Sequence, residues 1–216
     1  MPKMPESNTQ NNALLLLIGT LAAFAYMVGM ALELTTVKLL VKGIPALAIA
    51  AWVWPRGERR VALGLVFGAI GDICLNIPGA FLAGMIAFAI GHGLYVWAFT
   101  RWSRANAWHL LLPVLLYLAL PLPLMLQGTG ELTVPVTLYL GIIGAMIWRA
   151  AVVADDAQQT GLARWAALLG ALLFAFSDTL IGVNKFVMPL PGAGFPIIVT
   201  YWLGQLLIGT SAVTRR

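Results

Sequence analysis

Six side chains have chemistry that does not suit the hydrocarbon runs carrying them. Asp72 lies in Phe67-Gly-Ala-Ile-Gly-Asp-Ile-Cys-Leu-Asn76, and Asp178 in Phe176-Ser-Asp-Thr-Leu-Ile-Gly-Val-Asn184. His92 sits in Gly91-His-Gly-Leu-Tyr95, Lys42 begins Lys-Gly-Ile-Pro45, and Tyr201 and Gln205 share a later run. A charged group at membrane depth costs ~2.5–3.5 kcal/mol even on the lenient insertion scale, so such groups face the protein interior and mark candidate sites. Two carboxyl groups on separate runs can divide acid and base work, one donating a proton and one staying ionised beside a cation such as Lys42. Asp72 and Asn76 are i,i+4 partners on one helix face, as are Tyr201 and Gln205. Each residue also has a structural reading. Lys42 and Asp72 can tie helices together, Asp178 can bind a helix end or Asn184, His92 can be an interhelical histidine, and Ser177 a packing hydroxyl.

These residues need elements that place them. The chain has 216 residues, of which 61% are hydrophobic and 10% charged, with a mean hydropathy of +0.90. Soluble domains carry about 45–50% apolar and roughly 25% charged residues, so a soluble globule, a disordered chain and a secreted disulfide scaffold are excluded. One cysteine, Cys74, permits neither an internal disulfide nor a cysteine metal cluster. Eight apolar runs follow one another: Ala13–Leu32, Val37–Trp54, Val61–Ile77, Phe81–Thr100, Ala107–Leu126, Leu132–Val153, Leu162–Val183 and Phe195–Val213. A spanning helix needs ~20 such residues. Pro55-Arg-Gly57, Pro78-Gly79, Gln127-Gly-Thr-Gly130 and Pro189–Gly194 punctuate them. The expected fold is therefore all-α: a polytopic integral membrane protein with eight transmembrane helices in one bundle over 13–213, a polar tail at 1–12 and a basic tail at 214–216. Ala23-Phe-Ala25 resembles a signal cleavage site, but the apolar stretch continues to Leu32, so the first helix is read as retained. Pro113, Pro121, Pro123 and Pro135 predict kinks.

Net charge is +5, but the basic residues stand singly between apolar runs, which speaks for topology and against a nucleic-acid partner. Lys3, Arg56, Arg59, Arg60, Arg101, Arg104, Arg149, Arg164, Arg215 and Arg216 fall on one side of an eight-helix chain, with Lys38, Lys42 and Lys185 on the other. Ten against three predicts cytoplasmic termini, in the inner membrane if the source is bacterial. At 1.5 Å rise per residue, Asp72 then lies roughly 9 Å inside the outer boundary, with Asp178, Lys42 and Tyr201 roughly 8 Å deep. Gln205 is one turn deeper and His92 is near the midplane. Six polar residues from five helices thus share one slab and can surround one wet cavity. Trp52, Trp54, Trp102, Trp108 and Trp148 sit near span ends as an interfacial belt. Glu33, Asp155 and Asp156 read as solvated.

At these residues the sequence resembles the YhhN-like membrane proteins, which include the vertebrate lysoplasmalogenases. The likeness rests on Lys42-x-x-Pro45, on Gly71-Asp72-x-x-Leu75, and on Phe81-x-x-Gly84-x-x-x-Phe88-x-x-x-His92-x-x-Tyr95. It continues in Gly170-Ala171-x-x-Phe174-x-x-Ser177-Asp178 with Asn184 beyond, and in Tyr201-x-x-x-Gln205. It covers about 13–213, and Asn76 stands where the family usually has an apolar residue. The resemblance implies a hydrolase that splits the vinyl ether of a lysophospholipid substrate, a lysoplasmalogen, into a fatty aldehyde and glycerophosphoethanolamine or glycerophosphocholine. Such a bond is cleaved by slow proton transfer to carbon followed by water capture of the oxocarbenium ion. The enzyme needs one carboxylic acid and one carboxylate, as glycosidases do, and low dielectric disfavours a charged carboxyl unless it is paired. Either Asp can take either role; the Lys42 pairing favours Asp72 as base and Asp178 as acid. Lys42, Asn76, His92, Tyr95, Ser177, Asn184, Tyr201 and Gln205 then bind substrate or tune the pair. No metal or other cofactor is expected, since one His and two isolated Asp make a poor ligand set.

Two other functions compete. An intramembrane aspartyl protease also needs two Asp on separate helices, but its Tyr-Asp partner motif is missing. A lipid or small-molecule transporter can use intramembrane Asp, Lys and His as a proton relay, but no internal repeat is visible. Nothing in the sequence sets an oligomeric state.

Overall fold

A computed structural model describes residues 6–56, 58–159 and 161–215. Lys3 and Arg216, counted above for topology, lie outside the described residues, as do the first five residues of the N-terminal tail. The eight runs form eight helical passes. They are α1 (Glu6–Ala31), the broken pass α2 (Thr35–Val41) and α3 (Ile44–Val53), α4 (Arg59–Leu75), α5 (Phe81–Trp102), the broken pass α6 (Leu111–Ala119) and α7 (Pro121–Leu126), α8 (Thr133–Asp155), α9 (Gly161–Phe186) and α10 (Gly194–Thr214). Seven passes are long and apolar enough to cross a membrane by length and composition. The other, α4, has 17 residues and spans ~25 Å at helical rise. The protein is a helical integral membrane bundle.

The passes that carry the candidate residues form a ring. α3 packs on α4, α4 on α5, α5 on α8, α8 on α9, α9 on α10, and α10 closes onto α3. α1 leans on α3 from outside, and α6 and α7 lean on α8 and α9. The outer passes are accordingly the least covered: 22% of the α1 span and 17% of the Trp108–Leu126 span are buried, against 44–56% elsewhere. Close packing within the ring uses glycine. A Cβ on Gly170 of α9 would lie 2.9 Å from the Gly204 carbonyl of α10, and one on Gly204 2.9 Å from the Gly170 carbonyl, so the two backbones touch as small-residue interfaces in membranes allow.

The breaks have local causes. In the second pass, Lys42-Gly43 interrupts the helix and Pro45 stands in the first turn of α3, where its missing N–H costs nothing. This break holds Lys42 at a helix end inside the protein, which an unbroken Val37–Trp54 helix would not. Pro121 starts α7 and ends α6, as expected of it. Pro113 and Pro135 do not kink their helices; each is the third residue of its helix, in the first turn, where no intrahelical donor is lost. Between α4 and α5, Ala80 N–H donates to Ile77 O at 3.1 Å and Gly79 has φ +82°. That is a type II turn with Pro78 and Gly79 in its two preferred places, and it returns α5 directly along α4.

One end of the bundle is basic and aromatic. Arg60 lies 4.3 Å over the Trp97 ring, Trp108 stacks on Trp148 at 5.0 Å, and Arg149 reaches the backbone carbonyls of Ser103 and Ala105. Gln159 and Arg215 continue this seal, with Arg215 3.6 Å from Glu58.

Candidate active site

α3, α4 and α10 bring together the first polar cluster. Lys42 Nζ is 3.8 Å from Asp72 Oδ1, with side chains 11% and 3% exposed. Tyr201 OH donates to Asp72 Oδ2 at 2.8 Å. A buried charge survives in such a place only when it is paired and hydrogen-bonded, and Asp72 is both. Tyr95 of α5 donates to Gln205 Oε1 at 2.8 Å. The second amide atom of Gln205 and the Tyr201 hydroxyl both hang over Gly68 of α4, where a Cβ would lie 2.5 Å and 3.1 Å from them. Gly64, one turn earlier, makes the same room for the Tyr95 ring. Glycine is therefore required on this face of α4, because any side chain would displace the polar groups.

α5, α8 and α9 build the second cluster. Tyr139 OH donates to Asp178 Oδ2 at 2.7 Å. His92, fully buried, has Nε2 3.8 Å from the same oxygen, beyond hydrogen-bond reach. Its ring meets Phe174 edge-on at 4.5 Å and Tyr139 at 5.6 Å. Asp178 and Tyr139 form the polar wall of a narrow cavity of about 40 Å³, whose other walls are apolar: Leu75, Phe81, Met85, Phe88, Met125 and Phe186 among them.

Aromatic rings pack where the two clusters meet, and His92 lies 6.4 Å from the Tyr95 ring. Phe88 lines the cavity, packs edge-on against Tyr201 at 5.8 Å and against Phe174 at 6.1 Å, and Phe174 meets Tyr201 at 5.1 Å. Asp178 opens onto the cavity; Asp72 does not line it. The six polar residues placed in one slab thus lie in one core but are divided, Lys42, Asp72, Tyr201 and Gln205 on one side and Asp178 on the other, with His92 beside Phe174. Among the described residues no group of three or more His, Cys, Asp or Glu is arranged to hold a metal ion.

A family model described as YhhN family matches residues 37–212. The chain belongs to the YhhN family. It is 40% identical over 187 residues to lysoplasmalogenase TMEM86B of Homo sapiens, an overlap of 84% of this chain and 77% of that one. It is 41% identical over 163 residues to lysoplasmalogenase TMEM86A of Bos taurus, covering 73% of this chain and 66% of that one. A lysoplasmalogenase of Mycobacterium tuberculosis (strain CDC 1551 / Oshkosh) is 31% identical over 183 residues, with 75% and 64% covered. No solved structure matches the chain.

Of the ten expected site residues of this YhhN-family chain only Asp178 lines the cavity, and three others make contacts outside both polar clusters. Ser177 donates to the Ile197 carbonyl of α10 at 2.9 Å and joins α9 to α10. Asn184 is exposed and accepts from Leu190 N–H at 2.7 Å, closing the turn after α9. Asn76, half-buried, is the residue that ends α4. One residue that matters was missed: Tyr139. A tyrosine seven residues into an apolar helix is too deep for an interfacial belt, and a buried tyrosine hydroxyl needs a partner; that was the available signal.

Proposed function

We propose that this chain hydrolyses the vinyl ether bond of lysoplasmalogens, releasing a fatty aldehyde and a glycerophospho-alcohol. The observation that carries the reading is Asp178, a carboxyl group held by Tyr139 in the wall of an otherwise apolar cavity. Its nearest polar neighbours are a tyrosine and a histidine, while Asp72 has a lysine. Asp178 is accordingly the acid. It gives its proton to the β-carbon of the vinyl ether, leaving an oxocarbenium ion at the α-carbon. Water adds there and releases a proton, which restores Asp178. The resulting hemiacetal breaks into aldehyde and glycerol hydroxyl, so one water is consumed per bond.

Asp72, paired with Lys42, is the second carboxylate. Its negative charge stands behind Tyr201 and Phe88 and opposes the positive charge of the ion across those rings. The two carboxyl groups do not share a proton across a hydrogen bond, as an aspartyl protease pair does, so the hydrolase reading is favoured over the protease.

The tail has a path. Met85 and Tyr139 line the cavity and also line a second, apolar groove between α5 and α8, bordered by Ile86, Ile90, Leu138 and Ile142. A single hydrocarbon chain passing between Met85 and Tyr139 leaves its ether bond beside Asp178 and lies in that groove. The names of the relatives support the same substrate. We further propose cytoplasmic termini, from the gathering of arginines at one end of the bundle.

The test is aldehyde release by the purified full chain in detergent from a 1-alkenyl lysophospholipid, with 1-alkyl and 1-acyl analogues as controls. Aldehyde from the alkenyl lipid alone is expected; no aldehyde from any enol ether lipid would overturn the proposal.

A further inference from the structure

We propose that Lys185 binds the phosphate of a single-chain phospholipid beside the Asp178 cavity. This rests on the function proposed above and adds the group that recognises the head of the substrate. Lys185 is in the last turn of α9, seven residues after Asp178. Seven residues are nearly two full turns, so Lys185 stands on the same face of the helix, about 10 Å nearer the helix end. Ile181 and Gly182, which flank it on that face, line the cavity with Asp178, as does the adjoining Phe186. Lys185 itself is exposed and lies on the helix-end side of Asp178, beside these wall residues.

Its side chain does not turn back along its own helix. Nζ lies 4.3 Å from the centroid of Phe81 on α5 and 5.9 Å from that of Phe186. Those two rings meet edge-on at 5.8 Å, and both are cavity walls. The ammonium thus leans onto two cavity-wall rings, held by their faces, while its donors remain open. No carboxylate within ion-pair distance of it occurs among the described residues. A lone lysine at a helix C-terminus is commonly explained by the helix dipole. That accounts for the residue type, but not for a side chain carried over to α5 onto a ring of the cavity wall.

The chemistry fits one head-to-tail order. In a glycerophospholipid the phosphate is separated from the ether oxygen by the glycerol backbone. With phosphate on Lys185, the glycerol descends past Phe81 and Gly182, the ether bond reaches Asp178, and the chain leaves between Met85 and Tyr139. Lysine serves as a compact point charge for phosphate, without selecting choline or ethanolamine beyond it.

The experiment uses ligands that cannot be cleaved. Binding of 1-alkyl-lysophosphocholine and of 1-alkylglycerol is measured on the full chain in detergent, for the wild type, Lys185→Gln and Lys185→Arg. The wild type is expected to prefer the phospholipid; Lys185→Gln is expected to reduce that preference about tenfold, and Lys185→Arg to retain most of it. Glycerophosphate should compete with the phospholipid on the wild type and lose most of that effect in Lys185→Gln. An unchanged preference in Lys185→Gln would overturn the proposal. So would equal weakening of both ligands, which would mean that Lys185 shapes the cavity rather than binding phosphate. Because these readouts need no turnover, a wild type that releases no aldehyde would refute the proposed reaction while leaving this site to be judged on binding alone.

Discussion

Tyr139→Phe isolates one hydrogen bond at the reacting carboxyl. The Tyr139 hydroxyl is 2.7 Å from Asp178 Oδ2, and the next candidate donor, His92 Nε2, is 3.8 Å away. Phenylalanine keeps the ring that walls the cavity and removes only the donor. Interhelical hydrogen bonds in membrane proteins are worth ~0.6 kcal/mol on average and ~1.7 kcal/mol at most, so the variant should fold and unfold thermally close to the wild type. The carboxyl group loses the contact that fixes its direction toward the cavity. Misplacing a catalytic group by ~1 Å can cost on the order of 10²-fold, and a loss of roughly 10–100-fold in kcat corresponds to ~1.4–2.7 kcal/mol of barrier. KM should change little, because the cavity wall is intact. Steady-state aldehyde release, coupled to an aldehyde dehydrogenase, measures both constants. Wild-type kcat in a folded Tyr139→Phe would refute the positioning argument.

Further outcomes follow from the same geometry. Lys42→Met leaves the buried Asp72 charge without its cation and should cost ~3–5 kcal/mol, as breaking buried pairs does; adding Asp72→Asn should restore much of the lost thermal stability, and a strictly additive double variant would show the pair to be uncoupled. Met85→Trp, placed where cavity and groove meet, should raise KM for long-chain alkenyl lipids more than for short ones, and equal effects on both would place the tail elsewhere. Reporter fusions after Val213 should give a cytoplasmic signal, and an extracellular one would invert the bundle.

The passes and their order were legible because hydrocarbon length and Pro-Gly punctuation are one-dimensional signals. Pro78-Gly79 was read as a turn and is one. Level along the helices was legible for the same reason: rise per residue placed Asp72, Lys42 and Tyr201 together, and Asp72 touches both of the others. Direction around each helix was not. Ser177 and Asp178 are neighbours in sequence, yet a rotation of ~100° per residue sends one to Ile197 on α10 and the other to Tyr139 on α8. Depth alone drew one chamber, whereas the cavity that Asp178 lines does not include Asp72. Proline was over-read at Pro113 and Pro135, since a first-turn proline breaks no hydrogen bond. Tyr139 went unnoticed because a tyrosine in an apolar run looks like packing until its partner is known.

The central claim is that Asp178 supplies the proton that breaks the vinyl ether. Asparagine has nearly the same shape but no acidic proton, so the most direct measurement is the rate of aldehyde release by Asp178→Asn beside the wild type, with thermal unfolding confirming that both are folded. The account predicts a fall of ~10²–10⁴-fold, the usual contribution of a general acid, with binding of an uncleavable 1-alkyl lysophospholipid largely retained. Aldehyde release within a fewfold of wild type in the folded Asp178→Asn protein would contradict it.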